Sequence, residues 1–150
     1  VPFAAATRLA AHIAGASEPL QDSMAAYGMH LGLAFQIADD VLDYTGDADA
    51  LGKNLGDDLH EGKATLPLIH AMAHADDTLK QRLRAIIEQG DGSAMPDVLA
   101  AIEAAGSLQY SIDKAQQHAQ AAKAALVVVP DGAWKQALLE LADYSVMRNH

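Results

Sequence analysis

The hydrophobic pattern of the chain predicts α-helices throughout. Alanine and leucine dominate the apolar positions, and the only notable β-branched run, 127–129, is ended by Pro130. Because alanine and leucine are strong helix formers, helix is the expected state wherever glycine and proline are absent. The breaks predict helices over about 3–14, 18–44, 65–75, 77–89, 93–105, 107–126 and 131–148. Short turns between alanine-rich helices are typical of an all-α, antiparallel helical bundle.

The second of these helices is unusually long. Ser17 is a suitable N-cap residue, and no stop signal follows before about Tyr44, so the helix is expected to extend for roughly 40 Å. Gly28 and Gly32 lie on one stripe of this helix. Each costs about 1 kcal/mol of helix stability relative to alanine. We therefore expect a neighbouring helix to approach closely along that stripe.

Length, composition and charge exclude several classes of protein. The chain has 150 residues, the size of one ordinary domain, and no cysteine, so disulfides, thiolate metal sites and a cysteine nucleophile are excluded. We expect a reducing cytoplasm and, because no apolar run is long enough, no transmembrane segment. The net charge of −10 argues against nucleic-acid binding. The chain begins at Val1 within a helical pattern, and we expect further sequence to precede it.

Carboxylates are concentrated at the end of the long helix and in the loop that follows. Seven Asp and one Glu occur between residues 39 and 61. On a helical wheel Asp39, Asp43, Gln36 and Asp40 share one face, with Ile37, Ala38 and Val41 opposite. The helix dipole disfavours anions at a C-terminus, so a merely solvated acidic end, the structural alternative, carries an avoidable penalty. Mg²⁺ prefers such oxygen ligands and usually shares itself with substrate phosphates, so we interpret this face as a magnesium site.

The segment 45–64 is predicted to be a loop with at most one helical turn. It carries Lys53 after Gly52 and Lys63 after Gly62. Glycine permits turns that bring backbone amides and a lysine toward an anion, and lysine acts as a point charge on phosphate. Either lysine alone would indicate a solubilising surface residue. Together with the carboxylates, they indicate a diphosphate site.

The sequence from 35 to 68 resembles the second aspartate-rich motif, and the loop after it, of the trans-isoprenyl diphosphate synthases. The matching residues are a Phe-Gln pair, a DDxxD motif and two Gly-Lys turns, namely Phe35, Gln36, Asp39, Asp40, Asp43, Gly52, Lys53, Gly62, Lys63, Thr65 and Pro67. The likeness extends over nearly the whole chain and is closer to the long-chain bacterial members of octaprenyl type. It implies the isoprenoid synthase fold, with residues 1–150 as the C-terminal portion of a single domain.

The resemblance also implies a reaction and its participants. Members of the family add isopentenyl diphosphate to an allylic diphosphate with Mg²⁺. For this chain, the resemblance implies that the product is a long-chain trans-polyprenyl diphosphate, a precursor of quinone side chains. Carried over residue by residue, Asp39, Asp43 and Asp40 would bind Mg²⁺. Lys53 would hold the allylic diphosphate, and Lys63 would help to close the loop over this substrate. Gln36 and Phe35 would line the pocket. Asp39, Asp40 and Lys53 are the expected catalytic residues, and the full-length enzyme is expected to be a homodimer.

The chain departs from the family pattern by lacking the first aspartate-rich motif and the basic residues that hold isopentenyl diphosphate. We therefore expect it to be the C-terminal half of the enzyme and to be inactive when isolated.

Several alternatives stay open at this stage. The chain could be a non-catalytic metal-binding or structural subunit of a heteromeric synthase, or a terpene synthase, which shares the fold. Asp47 and Asp49 faintly resemble a calcium loop without its full pattern, and His70 and His74 have a zinc-like spacing without a third ligand.

Overall fold

A computed structural model describes residues 2–45 and 57–147 of the chain. Helices make up most of these residues, and no β-strand occurs among them. The α-helices are α1 (Pro2–Ile13), α2 (Glu18–Thr45), α3 (Asp57–His60), α4 (Leu66–His74), α5 (Asp77–Gln89), α6 (Met95–Ala104), α7 (Ser107–Ala125) and α8 (Ala133–Tyr144). Single 3₁₀ turns occupy Gly92–Ala94 and Leu126–Val128.

The helix boundaries follow the predicted ones closely where the sequence carries a stop or start signal. Helix α5 is preceded by Asp76, whose side chain accepts a hydrogen bond from the Leu79 amide, and is ended by Gly90 in the left-handed conformation. Within the predicted loop, the described residues Asp57–His60 form a helical turn, α3. Residues 46–56, which include Lys53 and its flanking glycines, lie outside the described part of the chain.

The chain divides into two compact units, residues 1–38 with 113–150 and residues 39–112. The core of the first unit consists of Tyr27, Leu31, Ala122, Leu126 and Ala142. The Tyr27 hydroxyl donates a hydrogen bond to the carbonyl oxygen of Leu138 at 2.9 Å, which ties α2 to α8. Burial raises the pKa of Tyr27 to about 12, so the donor stays protonated.

Helices α1 and α2 cross at the two glycines of α2. A Cβ atom on Gly28 would lie 2.5 Å from the carbonyl oxygen of Phe3 and would also press on the hydroxyl of Thr7. A Cβ on Gly32 would lie 3.2 Å from the Phe3 ring. The Thr7 hydroxyl donates to the carbonyl oxygen of Met24 at 2.6 Å, a contact that larger side chains at the crossing would prevent. The predicted close approach of a neighbouring helix is therefore confirmed.

The second unit has its own apolar core. Its buried residues come from the end of α2 and from α3 to α6, and they are Tyr44, Leu59, Leu68, Ala71, Leu83, Ile86, Met95, Val98, Ala101 and Ile102. Helices α4 and α6 contact each other, and each contributes an alanine to this core, Ala71 and Ala101. This core holds the last turn of α2 and the helix after the predicted loop in fixed positions.

Helix α8 is shorter than the predicted 131–148. It begins at Ala133, after Gly132, and its regular turns end at Tyr144. The amides of Val146 and Met147 bond to carbonyls three residues back, so the chain tightens instead of continuing as α-helix. Trp134, on the first turn of α8, is 87% exposed.

Candidate active site

The three aspartates of the DDxxD motif lie on the last two turns of α2. Asp40 is buried, at 8% exposure, whereas Asp39 and Asp43 are half-buried. Ala38 and Val41, which the wheel places opposite the acidic face, are also buried. The carboxylate at Asp40 therefore borders the core. No basic residue occupies the last turn of α2, so nothing within that turn offsets the unfavourable helix dipole.

A buried hydrogen bond lies directly beside this acidic end. The hydroxyls of Tyr44 and Thr65 are 2.8 Å apart, and both residues are less than a tenth exposed. The pKa of Tyr44 is raised to about 12, first by burial and then by the negative charges of Asp43, Asp58 and Asp40, against the opposing effect of the Thr65 hydrogen bond. Thr65 belongs to the Gly-Lys-x-Thr-x-Pro segment, 62–67, so this bond joins that segment to the residue directly after the DDxxD motif.

Asp58 is an acidic residue near the site, and the sequence pattern assigned it no individual role. It lies on α3 and is one of the carboxylates that raise the pKa of Tyr44. It also forms an ion pair with Lys63, whose Nζ is 3.4 Å from the Asp58 Oδ1. The signal that could have identified it is the Asp57-Asp58 pair inside the same acidic stretch.

Lys63 is held by two acids of its own segment. Besides Asp58, it forms an ion pair with Glu61. The hydrogen bond from Lys63 lowers the pKa of Glu61, and the hydrogen bonds to Glu61 and Asp58 raise the pKa of Lys63. The lysine side chain is 57% exposed, so solvent screens these ion pairs and breaking them costs little.

Gln36 and Phe35 lie on α2 one turn before the aspartates, and both are exposed. The Phe35 ring lies 6.3 Å from that of Phe3, centroid to centroid, in a tilted arrangement. Phe35 is therefore a surface aromatic residue of the first unit rather than part of its core. Lys53 was the other predicted substrate contact, and it falls outside the described residues.

The carboxylates that the structure describes do not converge into a complete metal cage. Among residues 2–45 and 57–147, no three His, Asp or Glu side chains come together in a way that could hold a metal ion. Asp39, Asp40 and Asp43 thus share two helical turns without forming a three-ligand cluster. The possible calcium residues Asp47 and Asp49 fall in the segment that is not described.

The comparisons with known proteins bear directly on this arrangement. The model of a family described as polyprenyl synthetase matches residues 1–105, well over half of the chain. The chain belongs to the polyprenyl synthetase family. The predicted all-α fold of the isoprenoid synthases is thereby confirmed, since the polyprenyl synthetases of known structure that resemble it share that fold.

Individual members of the polyprenyl synthetase family match over nearly the whole chain. The octaprenyl diphosphate synthase of Escherichia coli (strain K12) is 45% identical over 148 residues, which are 98% of this chain and 46% of that protein. A nonaprenyl diphosphate synthase of Rhodobacter capsulatus, described as geranyl-diphosphate specific, is 41% identical over 146 residues, which are 97% of this chain and 45% of that protein.

A solved structure gives the same result in three dimensions. The polyprenyl synthase of Caulobacter crescentus CB15, crystallised with calcium and isoprenyl diphosphate, superposes with a TM-score of 0.86 at 41% identity. The match covers 99% of this chain and 46% of that one. The chain therefore spans about half the length of the relatives that it matches. Among the described residues, no helix is long and apolar enough to cross a membrane.

Proposed function

We propose that this chain is the C-terminal part of a trans-polyprenyl diphosphate synthase. The protein as a whole would add isopentenyl diphosphate to an allylic diphosphate, and the active site would lie at the end of α2. The observation that carries the proposal is the DDxxD motif in a member of the polyprenyl synthetase family, placed where the helix dipole opposes it. Three acids at a helix C-terminus are costly unless cations bind there.

The residues at this helix end suit Mg²⁺ by their chemistry. Carboxylate oxygens are hard ligands, and Mg²⁺ is usually bound through one or two carboxylates, several waters and substrate phosphates rather than a full protein cage. Asp39 would be the principal ligand, with Asp43 and Asp40 binding directly or through water. Bound Mg²⁺ would neutralise the negative charge that develops on the departing diphosphate.

Other residues of the chain would bind and enclose the substrate. Lys53 would contact the allylic diphosphate. Lys63 would exchange its ion pairs with Asp58 and Glu61 for a contact with this diphosphate, because the Lys63 side chain is exposed and such pairs break easily. Gln36 and Phe35 would line the pocket near the reacting carbons. In the reaction, the allylic carbon–oxygen bond breaks, the double bond of isopentenyl diphosphate attacks the carbocation, and a proton is lost.

Finer features of the whole protein are part of the proposal. We propose that residues 1–150 are part of a single isoprenoid synthase domain. We also propose that the protein makes a long-chain product of octaprenyl type for quinone side chains, forms a homodimer and is located in the cytoplasm. The identity to the octaprenyl diphosphate synthase of E. coli supports the product class. Leu9, Ile13 and Trp134 are strongly exposed apolar residues, as expected for a surface that further sequence covers. The isolated chain would be inactive.

The test is made on the intact protein that contains this chain. Incorporation of labelled isopentenyl diphosphate onto an allylic primer is measured for the wild type and for Asp39→Asn. We expect kcat to fall about a hundredfold or more, because the lost interaction acts mainly at the transition state. Unchanged turnover would remove the assignment.

Asp22→Asn is the matched control on the same helix. Asp22 is exposed and pairs with Arg8 at 3.1 Å, far from the motif, so its loss should leave turnover unaltered. The chain expressed alone should show no incorporation, and robust activity of the isolated chain would contradict the proposal that the site is shared with further sequence.

A further inference from the structure

Two imidazoles on α4 form a cluster that the proposed reaction does not use. His70 and His74 lie one helical turn apart, and their ring centroids are 4.2 Å apart. From the spacing alone this pair could be two solvated side chains. The structure adds specific hydrogen-bond partners for the Nδ1 atoms of both rings.

The hydrogen bond made by His74 determines its tautomer. Its Nδ1 lies 2.9 Å from the carbonyl oxygen of His70. A carbonyl oxygen can only accept, so Nδ1 carries the proton and, in the neutral ring, Nε2 carries the lone pair. The side chain is exposed, so this lone pair is accessible to a ligand from solvent.

The His70 ring is oriented by two further contacts. It stacks on the Tyr110 ring with centroids 4.0 Å apart and an interplanar angle of 21°. Its Nδ1 lies 2.9 Å from the hydroxyl of Ser107, a fully buried residue at the start of α7. A hydroxyl can donate or accept, and when Ser107 accepts, Nδ1 of His70 is the protonated nitrogen and Nε2 is free.

We propose that His70 and His74 together bind one divalent ion of the borderline transition-metal class, such as Zn²⁺, Ni²⁺ or Cu²⁺, through their Nε2 atoms. Residues four apart on a helix face the same side, and imidazole suits these metals, in contrast to the oxygen ligands that suit Mg²⁺. Metal-binding histidines typically donate their other ring N–H to a protein group, and the Ser107 hydroxyl and the His70 carbonyl occupy these positions.

The site has two protein ligands and is therefore exchangeable. No third His, Asp or Glu joins the pair within the described ranges, so water or an external ligand completes the coordination. The net charge of −10 raises the local concentration of cations in general. An ion bound across one turn would also stabilise the last turn of α4.

The test is a Ni²⁺ titration of the intact protein, stripped of metal and held in excess Mg²⁺ so that carboxylate sites are already filled. Calorimetry should show a Ni²⁺ site that His74→Gln abolishes, and Ser107→Ala should weaken binding about tenfold through the lost orienting bond. His118→Gln is the control, since it breaks the other close imidazole pair, His30 and His118, and it should leave the α4 site intact.

A second readout works on the wild type and does not depend on variants folding. Ni²⁺ is paramagnetic, so substoichiometric amounts should broaden the ring resonances of His70 and His74 first. Absence of Ni²⁺ binding, binding unchanged in His74→Gln, or broadening confined to His30 and His118 would each overturn the proposal.

Discussion

The hydroxyls of Tyr44 and Thr65 share a buried hydrogen bond of 2.8 Å between the end of α2 and the residue before α4. Thr65 stands at the N-cap position of α4, yet its side chain makes no capping bond. The hydroxyl therefore serves the contact with Tyr44. This contact fixes the start of α4 against the helix that carries the aspartates.

Breaking this bond from one side should destabilise the protein. Tyr44→Phe and Thr65→Val each leave one buried hydroxyl without its partner, and we expect each to lower the free energy of unfolding by about 1–3 kcal/mol. The double variant should lose clearly less unfolding free energy than the two single variants lose together, because both polar groups are then removed. Urea unfolding of the four proteins measures the coupling. Strictly additive effects would contradict the importance of the bond.

The crossing of α1 and α2 predicts different effects for two equivalent substitutions. Gly28→Ala places a methyl group against the Phe3 carbonyl, which is backbone and yields little, so we expect a loss of about 1–3 kcal/mol despite the better helix propensity of alanine. Gly32→Ala meets only the Phe3 ring, which can move, and should be nearly neutral. Thermal unfolding compares the two. Equal stabilities would show that the crossing is not as close as described.

The cap of α5 gives a third prediction. Asp76 Oδ1 accepts from the Leu79 amide at 2.8 Å, so Asp76→Ala should cost about 1 kcal/mol of stability. Asp77→Ala is the neighbouring control, because Asp77 lies in the first turn and interacts favourably with the helix dipole without being the cap. The cap variant should lose more stability in urea unfolding. The reverse order would refute the role of Asp76.

The close imidazole pair of His30 and His118 predicts that stability depends on pH. Their Nδ1 atoms are 3.0 Å apart, and only one of them can donate the proton. Burial, then the nearby His30 and Lys114, lower the pKa of His118. The unfolded chain therefore takes up a proton at a higher pH than the folded one, so stability should fall as pH drops below about 6.5 and level off below the folded pKa.

This pH dependence can be measured directly. NMR titration should place the pKa of His118 below that of an ordinary histidine, and His30→Gln should raise it partly, leaving the effect of burial. The slope of unfolding free energy against pH below about 6.5 should become shallower in His118→Gln. His12→Gln serves as the control. A His118 pKa unchanged by loss of His30 would contradict the coupling.

Helix positions could be predicted from the sequence wherever a local signal marks them. Asp76 and Gly90 mark both ends of α5, and the structure confirms them. The end of α8 has no such signal, since neither glycine nor proline follows it. There Ser145 is buried and its hydroxyl donates to the carbonyl oxygen of Ala142, a tertiary environment that the pattern of side chains does not encode.

The candidate site likewise has features that the sequence predicts and features that it does not. That Asp39, Asp40 and Asp43 occupy one helix end follows from the helical period alone. The burial of Asp40 could not be predicted, because a wheel gives directions and not neighbours. The Tyr44–Thr65 bond and the influence of Asp58 arise from packing of α2 against later elements, which only the folded chain reveals. The metal and substrate roles of these residues stay predictions.

Trp134 is the only tryptophan of the chain, and it is 87% exposed on α8. Its indole emission should therefore be that of a solvated ring, red-shifted and readily quenched by acrylamide. In the intact protein, a blue-shifted and protected Trp134 signal would report that another surface covers α8. Because Trp134 lies outside both apolar cores, its own emission is a sensor of assembly rather than of core integrity.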